Sequence, residues 1–252
     1  MKEIIRKVLR SRGYEVGRWD RFGVRPLHDI QGLFGGRSLE VIFDVGANEG
    51  QTAVQFARAF PNAVIHSFEP FSVAFEKLRE ASVRYPRIKP IQQALGEAVA
   101  ERILHVNSHS ATNSLLPNAP EYDRYQPKGW ADERATTPIA VSTVDAYCRQ
   151  KSILFVDLLK MDTQGYELKV LQGAENMISS GKVATIFSEV LFASIYDGQA
   201  YFHDIYEHLW ARGFRLVNLY GVGVNDQKFV SWCDAVFVHP EVLARRCSNS
   251  AF

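Results

Sequence analysis

The residue pattern predicts an α/β protein with one mostly parallel sheet and helices on both faces. Three observations carry this. From residue 41 onward, apolar runs of strand length alternate with segments of helical periodicity. The first such run ends in the turn Asp44-Val45-Gly46-Ala47-Asn48-Glu49-Gly50, which leads directly into a helical segment. The last two strand-like runs follow one another with no helix between them, the pattern of an antiparallel pair.

Taken in order, residues 41–46 (VIFDVG) form a continuous apolar run, as expected of a strand buried on both faces. Ala53, Phe56, Ala57 and Phe60 share one helical face, and Pro61 stops it. Residues 63–68 make the second strand, closed by Glu69-Pro70. Phe71, Ala74, Phe75 and Leu78 mark a helix to about residue 84, and residues 88–95 (IKPIQQAL) a third strand. Residues 96–150 break the alternation. ERILHVNS and PIAVSTV read as short paired strands, and the Ser-, Asn-, Pro- and Tyr-rich stretch 107–138 between them reads as a functional loop or lid. The alternation then resumes. Residues 153–162 and 183–190 are strands around a helical stripe of Leu168, Leu171, Ala174 and Ile178. Phe202, Ile205, Tyr206 and Leu209 form a helix closed by Gly213, and 214–221 and 232–240 form the terminal pair. The expected organisation is an accessory segment (1–40), a main domain (41–240) with an insertion at about 96–150, and a tail (241–252).

The chain has 252 residues with 29 Lys+Arg against 28 Asp+Glu. The balance hides an asymmetry. Residues 1–12 carry Lys2, Arg6, Lys7, Arg10 and Arg12 against Glu3 alone, whereas residues 41–252 are slightly acidic. A near-neutral body offers no broad basic footprint, so nucleic acid is not an expected partner. The basic start reads as a short amphipathic helix, suited to docking on the domain, to a homodimer interface, or to weak contact with an anionic membrane surface. No apolar run is long enough to span a bilayer, the charged start is unlike a secretory signal, and three dispersed cysteines suit a reducing compartment, so a cytoplasmic location is expected.

Ligands of open α/β sheets bind beyond the carboxyl ends of the strands. The first turn has the spacing G-x-x-x-G, with Asn48 where a dinucleotide fingerprint has its middle glycine. A pyrophosphate is therefore disfavoured, and a ligand carrying an ammonium and a carboxylate fits better, with Asp44 facing the ammonium. Glu69, at the end of the second strand, can accept both hydroxyls of a ribose. Gln93-Ala94, at the end of the third, can read an adenine edge. Amino acid, ribose and base together describe S-adenosylmethionine. Asp162 and Glu189 end the next two strands, where they can orient or deprotonate an acceptor hydroxyl, or share a divalent cation. Tyr196 could stack on a sugar face and Gln199 could bond its hydroxyls. His109 could serve as a base if the insertion folds over. His66, inside a strand, reads as a satisfied core residue.

The segments VIFDVGANEGQT, HSFEP, QQALGE, Asn113-Ser114-Leu115 and DLLKMDTQGYELKVLQGA resemble the FkbM-like family of S-adenosylmethionine-dependent methyltransferases, over about Val41 to His239. The most specific part is Lys160, Asp162, Gly165 and Glu167 followed by Leu171, Gly173 and Ala174. Gln164 stands where the family often has Glu. The resemblance implies a class I methyltransferase fold, a seven-stranded sheet with its last strand antiparallel. It also implies O-methylation, commonly of sugar or polyketide hydroxyls. The expected cofactor-binding set is Asp44, Gly46, Ala47, Asn48, Gly50, Gln51, Thr52, Glu69, Pro70, Gln93, Ala94, Asn113, Ser114 and Asp162. The expected catalytic set is Asp162, Glu189 and Lys160. The expected acceptor is a sugar or glycan precursor, with polyketide, lipid or other small-molecule hydroxyls as the alternative. The G-x-x-x-G spacing and the Lys160–Ala174 segment argue against an NAD-dependent oxidoreductase or a non-catalytic nucleotide-sensing module.

Overall fold

The strand-and-helix order translates into two sheets in the computed structural model, which describes residues 21–130 and 132–248. The main sheet contains β1 (Val41–Val45), β2 (Val64–Phe68), β3 (Ile88–Ile91), β7 (Val156–Met161), β8 (Val183–Leu191), β9 (Arg215–Val224) and β10 (Val230–Val238). Their order is β3-β2-β1-β7-β8-β10-β9. The first five of these are mutually parallel, and β10 runs antiparallel to both β8 and β9. This is the seven-stranded sheet with an antiparallel last strand that the resemblance implies. All six residues of β7 are buried, the result of a strand with neighbours and helices on every side.

Helices cover both faces. One face carries α1 (Pro26–Leu33), α2 (Gln51–Ala59), α3 (Ser72–Arg84) and α9 (Pro240–Ser248), which share a core with Ile42, Ile65, Leu158 and Val236. The other carries α5 (Val144–Lys151), α6 (Glu167–Gln172), α7 (Glu175–Ser179) and α8 (Phe202–Trp210), packed on Phe43, Leu159, Ile186 and Phe237. In the described part of the segment before β1, Ile30, Phe34 and Leu39 are fully buried, so residues 26–39 close one face of the core. The expected tail begins as α9, which buries Val242 and Leu243. Its Arg246 pairs with the buried Asp157, which also accepts the backbone N–H groups of Glu40 and Val41. The basic residues 1–12 lie outside the described residues.

Three elements differ from the sequence reading. The strand expected over 88–95 is split: β3 ends at Ile91, and Ala94–Leu95 (β4) joins β5 (Ala100–Asn107) and β6 (Glu133–Ser142) in a second, three-stranded sheet of order β4-β6-β5. β3 is an edge strand, where Pro90 lacks no partner, and the chain turns at Gln93, whose N–H bonds Ile91 O at 3.0 Å. β6 starts earlier than expected and pairs along β5 as a hairpin. Its first half is exposed and polar, so its pairing leaves no apolar trace. The single helix expected after β7 is two, α6 and α7. Between them, a side-chain carbon at Gly173 would lie 1.9 Å from Gly96 O, a backbone approach open only to glycine. The three cysteines are free, and His66 is half-buried against the Tyr147 hydroxyl at 2.9 Å, as a core histidine should be. Among the described residues, no helix is long and apolar enough to cross a membrane.

Candidate functional site

The carboxyl ends of β1, β2 and β7 surround a cavity. The polar insertion between β5 and β6 closes over it, with the short helix α4 (Tyr122–Tyr125) at its centre. Ser110, Ala111, Asn113, Ser114 and Leu115 of that insertion line the cavity. Three contacts tie it down. Ser110 Oγ donates to Asn48 Oδ1 at 3.1 Å, Ser114 Oγ donates to the Gln164 carbonyl at 2.7 Å, and Asn118 bridges to Tyr196.

The turn after β1 is shaped from below. At Gly46, φ is +74° and an added side-chain carbon would lie 1.9 Å from Asp162 O. Only glycine lets the β1 and β7 ends meet so closely. Lys160, almost wholly buried, donates to Gly46 O at 3.0 Å and pairs with Asp44 Oδ1 at 3.0 Å. Asp44 is fully buried and, that ion pair aside, its oxygens have no hydrogen-bond partner. Burial raises its carboxyl above the ordinary range, and Lys160 works against that rise. Lys160 is thus a support beneath the turn, and it does not line the cavity as a catalytic lysine would.

Glu69 lines the cavity as expected. One oxygen accepts Asn48 N–H at 2.9 Å and the other accepts Phe71 N–H at 2.8 Å. Each oxygen keeps a lone pair for a hydroxyl donor. Burial pushes the carboxyl up to about 7, while the two backbone bonds oppose it. Gly46, Asn48, Pro70, Ala94, Asn113, Ser114 and Asp162 also line the cavity. Asn113 is held by Asn107 N–H on its oxygen at 2.8 Å, while its amide nitrogen is buried without a partner.

Other expected residues fall elsewhere. Gln93 lines a separate depression with His66, Lys89 and Tyr147, because the chain turns before Ala94. Ala47 is core, Gly50 caps α2 against Leu78, Gln51 is exposed, and Thr52 lies within α2 outside the cavity lining. His109 stacks flat on Trp130, centroids 4.2 Å apart, and clasps the two ends of the insertion rather than facing the cavity. Tyr196 is buried and meets Tyr122 edge-on, so it has no ring face to offer a sugar. Gln199 spends its side chain on its own loop: Oε1 accepts Ile195 and Tyr196 N–H at 2.9 and 2.7 Å, and Nε2 donates to Ala193 O at 2.7 Å. Both expected acceptor contacts are therefore structural.

Asp162 and Glu189 do come together, through a residue between them. Gln164 Nε2 donates to Asp162 Oδ1 at 2.7 Å and to Glu189 Oε2 at 3.0 Å. In the sheet, Met161 pairs with Ser188 and Glu189 with Asp234, so Asp162 just past β7, Glu189 near the end of β8 and Asp234 midway along β10 form one row, of which Asp162 lines the cavity. Burial, and then Asp162, Glu167 and Asp234, raise the Glu189 carboxyl well above its ordinary value. Burial and Asp162 raise Asp234 to about 6. Glu167 braces the turn, accepting Thr163 N–H at 2.6 Å and Thr163 Oγ1 at 3.0 Å. The donor set does not suit a divalent cation: the Gln164 amide nitrogen already occupies the facing oxygens. Among the described residues, no group of three or more His, Cys, Asp or Glu side chains is arranged to hold a metal.

Sequence reasoning left the walls Phe68, Leu95, Leu104 and Tyr166 out of the expected site. It also missed Asp234, although an acid interrupting the apolar run WCDAVFV was a usable signal.

The methyltransferase FkbM domain family matches residues 44–216 of this chain. The 2-O-methyltransferase NoeI of Sinorhizobium fredii (strain NBRC 101917 / NGR234) is 29% identical over 195 residues, 73% of this chain and 76% of that protein. The 31-O-demethyl-FK506 methyltransferase FkbM of Streptomyces tacrolimicus is 26% identical over 159 residues, 54% of this chain and 60% of that one. Among solved structures, the METTL16 methyltransferase domain matches with a TM-score of 0.49 at 10% identity, covering 94% of this chain and 78% of that one.

Proposed function

The chain belongs to the FkbM family of methyltransferases, and from that membership we propose that it is an S-adenosylmethionine-dependent O-methyltransferase acting on a hydroxyl of a sugar or glycan precursor. The observation that carries the acceptor class is the row of carboxyl groups Asp162, Glu189 and Asp234, which starts at the cavity wall and runs across the sheet. Carboxyl groups form hydrogen bonds in either protonation state. A polyhydroxylated acceptor supplies several donors to such a row. An apolar polyketide or lipid would leave the same groups unpaired at a cost.

The residues present fit the cofactor. Glu69 has lone pairs for two ribose hydroxyls, Asn113 lines the cavity and has a buried amide nitrogen without a partner, and Phe68, Leu95 and Leu104 offer apolar walls for a base. When bound, S-adenosylmethionine supplies an electrophilic methyl group on a sulfonium. The protein must hold the acceptor oxygen in line with that methyl and keep water out. The insertion, pinned at Ser110 and Ser114, does the excluding. The Asp162–Glu189 pair orients the hydroxyl and takes its proton. A carboxyl raised by its surroundings is the stronger base in its ionised form, the form the Gln164 amide bonds.

Radiolabelled S-adenosylmethionine offered with a panel of methyl glycosides, oligosaccharides, macrolide alcohols and long-chain alcohols tests the reading. Methyl transfer to the saccharides is expected, and it should fall by about 10²–10⁴ in Asp162→Asn. Transfer confined to macrolide or lipid alcohols would refute the acceptor class.

A further inference from the structure

Gln164 stands where β7, the insertion and the loop after β8 meet. It lines the cavity with a left-handed backbone, φ +57°, which a residue bearing a side chain adopts only when its surroundings hold it there. Its carbonyl is held by Ser114 Oγ at 2.7 Å. Its amide oxygen accepts the Tyr196 hydroxyl at 2.5 Å, and its amide nitrogen donates to both Asp162 and Glu189. The orientation is forced, because the reversed amide would set its oxygen against two carboxylates. Tyr196 is itself immobilised by burial and by Tyr122. A neutral double donor therefore joins two groups that would otherwise repel. A glutamate at this position would bring a third acid and no donor when ionised.

We infer that Gln164 is a positioning residue for methyl transfer. Its amide clamps the Asp162 and Glu189 carboxylates in the orientation that receives the acceptor hydroxyl, and the Tyr196 hydroxyl sets the amide. This rests on the reading that the carboxylate pair handles the acceptor. The groups facing Glu189 are Asp162 and Lys160 from β7 and its end, Glu167 from α6, Asp234 from β10 and Tyr196 from the loop after β8. Among these, Lys160 and the Gln164 amide favour the ionised carboxylate, and the acids oppose it. Loss of the amide must shift the balance toward the protonated form.

The test uses full-length Gln164→Met, Gln164→Glu and Tyr196→Phe proteins. Three quantities are read: kcat and KM against pH, calorimetric affinity for S-adenosylhomocysteine, and the ¹³C-carboxyl NMR titration of Glu189 in cofactor-free protein, assigned with Glu189→Gln. The clamp requires kcat to fall about 10- to 100-fold in Gln164→Met, and in Gln164→Glu at pH values where the new carboxyl is ionised. S-adenosylhomocysteine affinity should stay within about threefold, and the Glu189 midpoint and the acid limb of kcat should both rise by about one pH unit. Tyr196→Phe, which keeps the ring and its packing, should show the same changes at smaller size, and it carries the decision if Gln164→Met does not fold. A Glu189 midpoint unmoved in the variants would overturn the inference. So would a kcat loss matched by an equal loss of S-adenosylhomocysteine affinity. The NMR titration needs no acceptor. A shifted midpoint in a protein that methylates no hydroxyl would uphold the clamp and reject the function proposed for the pair.

Discussion

On the β1–β2 side of the cavity, the ligand-facing groups come from short consecutive segments: Gly46 and Asn48 after β1, Glu69 and Pro70 after β2. On the β7–β8–β10 side, Asp162 lines the cavity and Glu189 and Asp234 lie beside it in the sheet, single residues brought together by strand register. The first side is rigid through its backbone, with Lys160 bonding the turn from below and Glu69 bonding it from the side. The second side is held by side chains, above all by one amide between two acids. A backbone-built subsite tolerates little change at its glycine. A side-chain-built subsite tolerates change in fold but loses alignment.

Gly46→Ala should have the largest effect, because it damages both sides at once through the 1.9 Å clash with Asp162 O. A destabilisation of about 3 kcal/mol is expected, a fall in Tm of about 6–12 °C in a chain of this size, with binding and turnover lost together. Unchanged melting would show that the two strand ends are not locked. Glu69→Gln comes next. Replacing the charged acceptor should weaken S-adenosylhomocysteine about 10- to 100-fold while leaving Tm nearly in place. In the parent protein the hydroxyls need the ionised carboxylate, whose value lies at about 7. Affinity should therefore be full above that pH and fall toward tenfold per unit below it, a dependence that Glu69→Gln should abolish. Calorimetry between pH 5.5 and 8.5 checks the sign. Gln199→Ala leaves buried backbone groups of its loop unpaired and should cost about 2 kcal/mol. It should do so without changing acceptor KM, and a raised KM in a fully folded variant would restore this residue to the acceptor side. The smallest effect is expected for His109→Ala. It loses one exposed stacking contact, worth about 1 kcal/mol, so KM for S-adenosylmethionine should rise less than tenfold and the pH profile of kcat should not move.

The same contrast explains what the sequence could tell. Strands, their parallel order and the Asp44–Gly50 turn are written in local apolar runs and glycines, and these put Glu69 and Asp162 at strand ends that line the cavity, while Asn113, which also lines it, entered only through the family resemblance. Gln93 misled because Pro90 and the chain turn after Ile91 are tertiary choices that a continuous β-like run conceals. Tyr196 and Gln199 misled because residue type suggested sugar contact, while burial and backbone bonding claimed both side chains. Asp234 was invisible as a partner of Glu189 because their pairing spans 45 residues and depends on register. Gln164 read as a mild departure from a familiar segment; only its two carboxylate contacts reveal it as the link between them.

Glu189→Gln separates the two sides most directly. S-adenosylhomocysteine calorimetry and methyl transfer to a saccharide acceptor should be measured on one preparation. Affinity within about threefold of the parent, with turnover reduced at least about 100-fold, is the predicted result. Turnover near the parent level, or cofactor affinity lost in step with it, would contradict the division of this site into a donor side and an acceptor side.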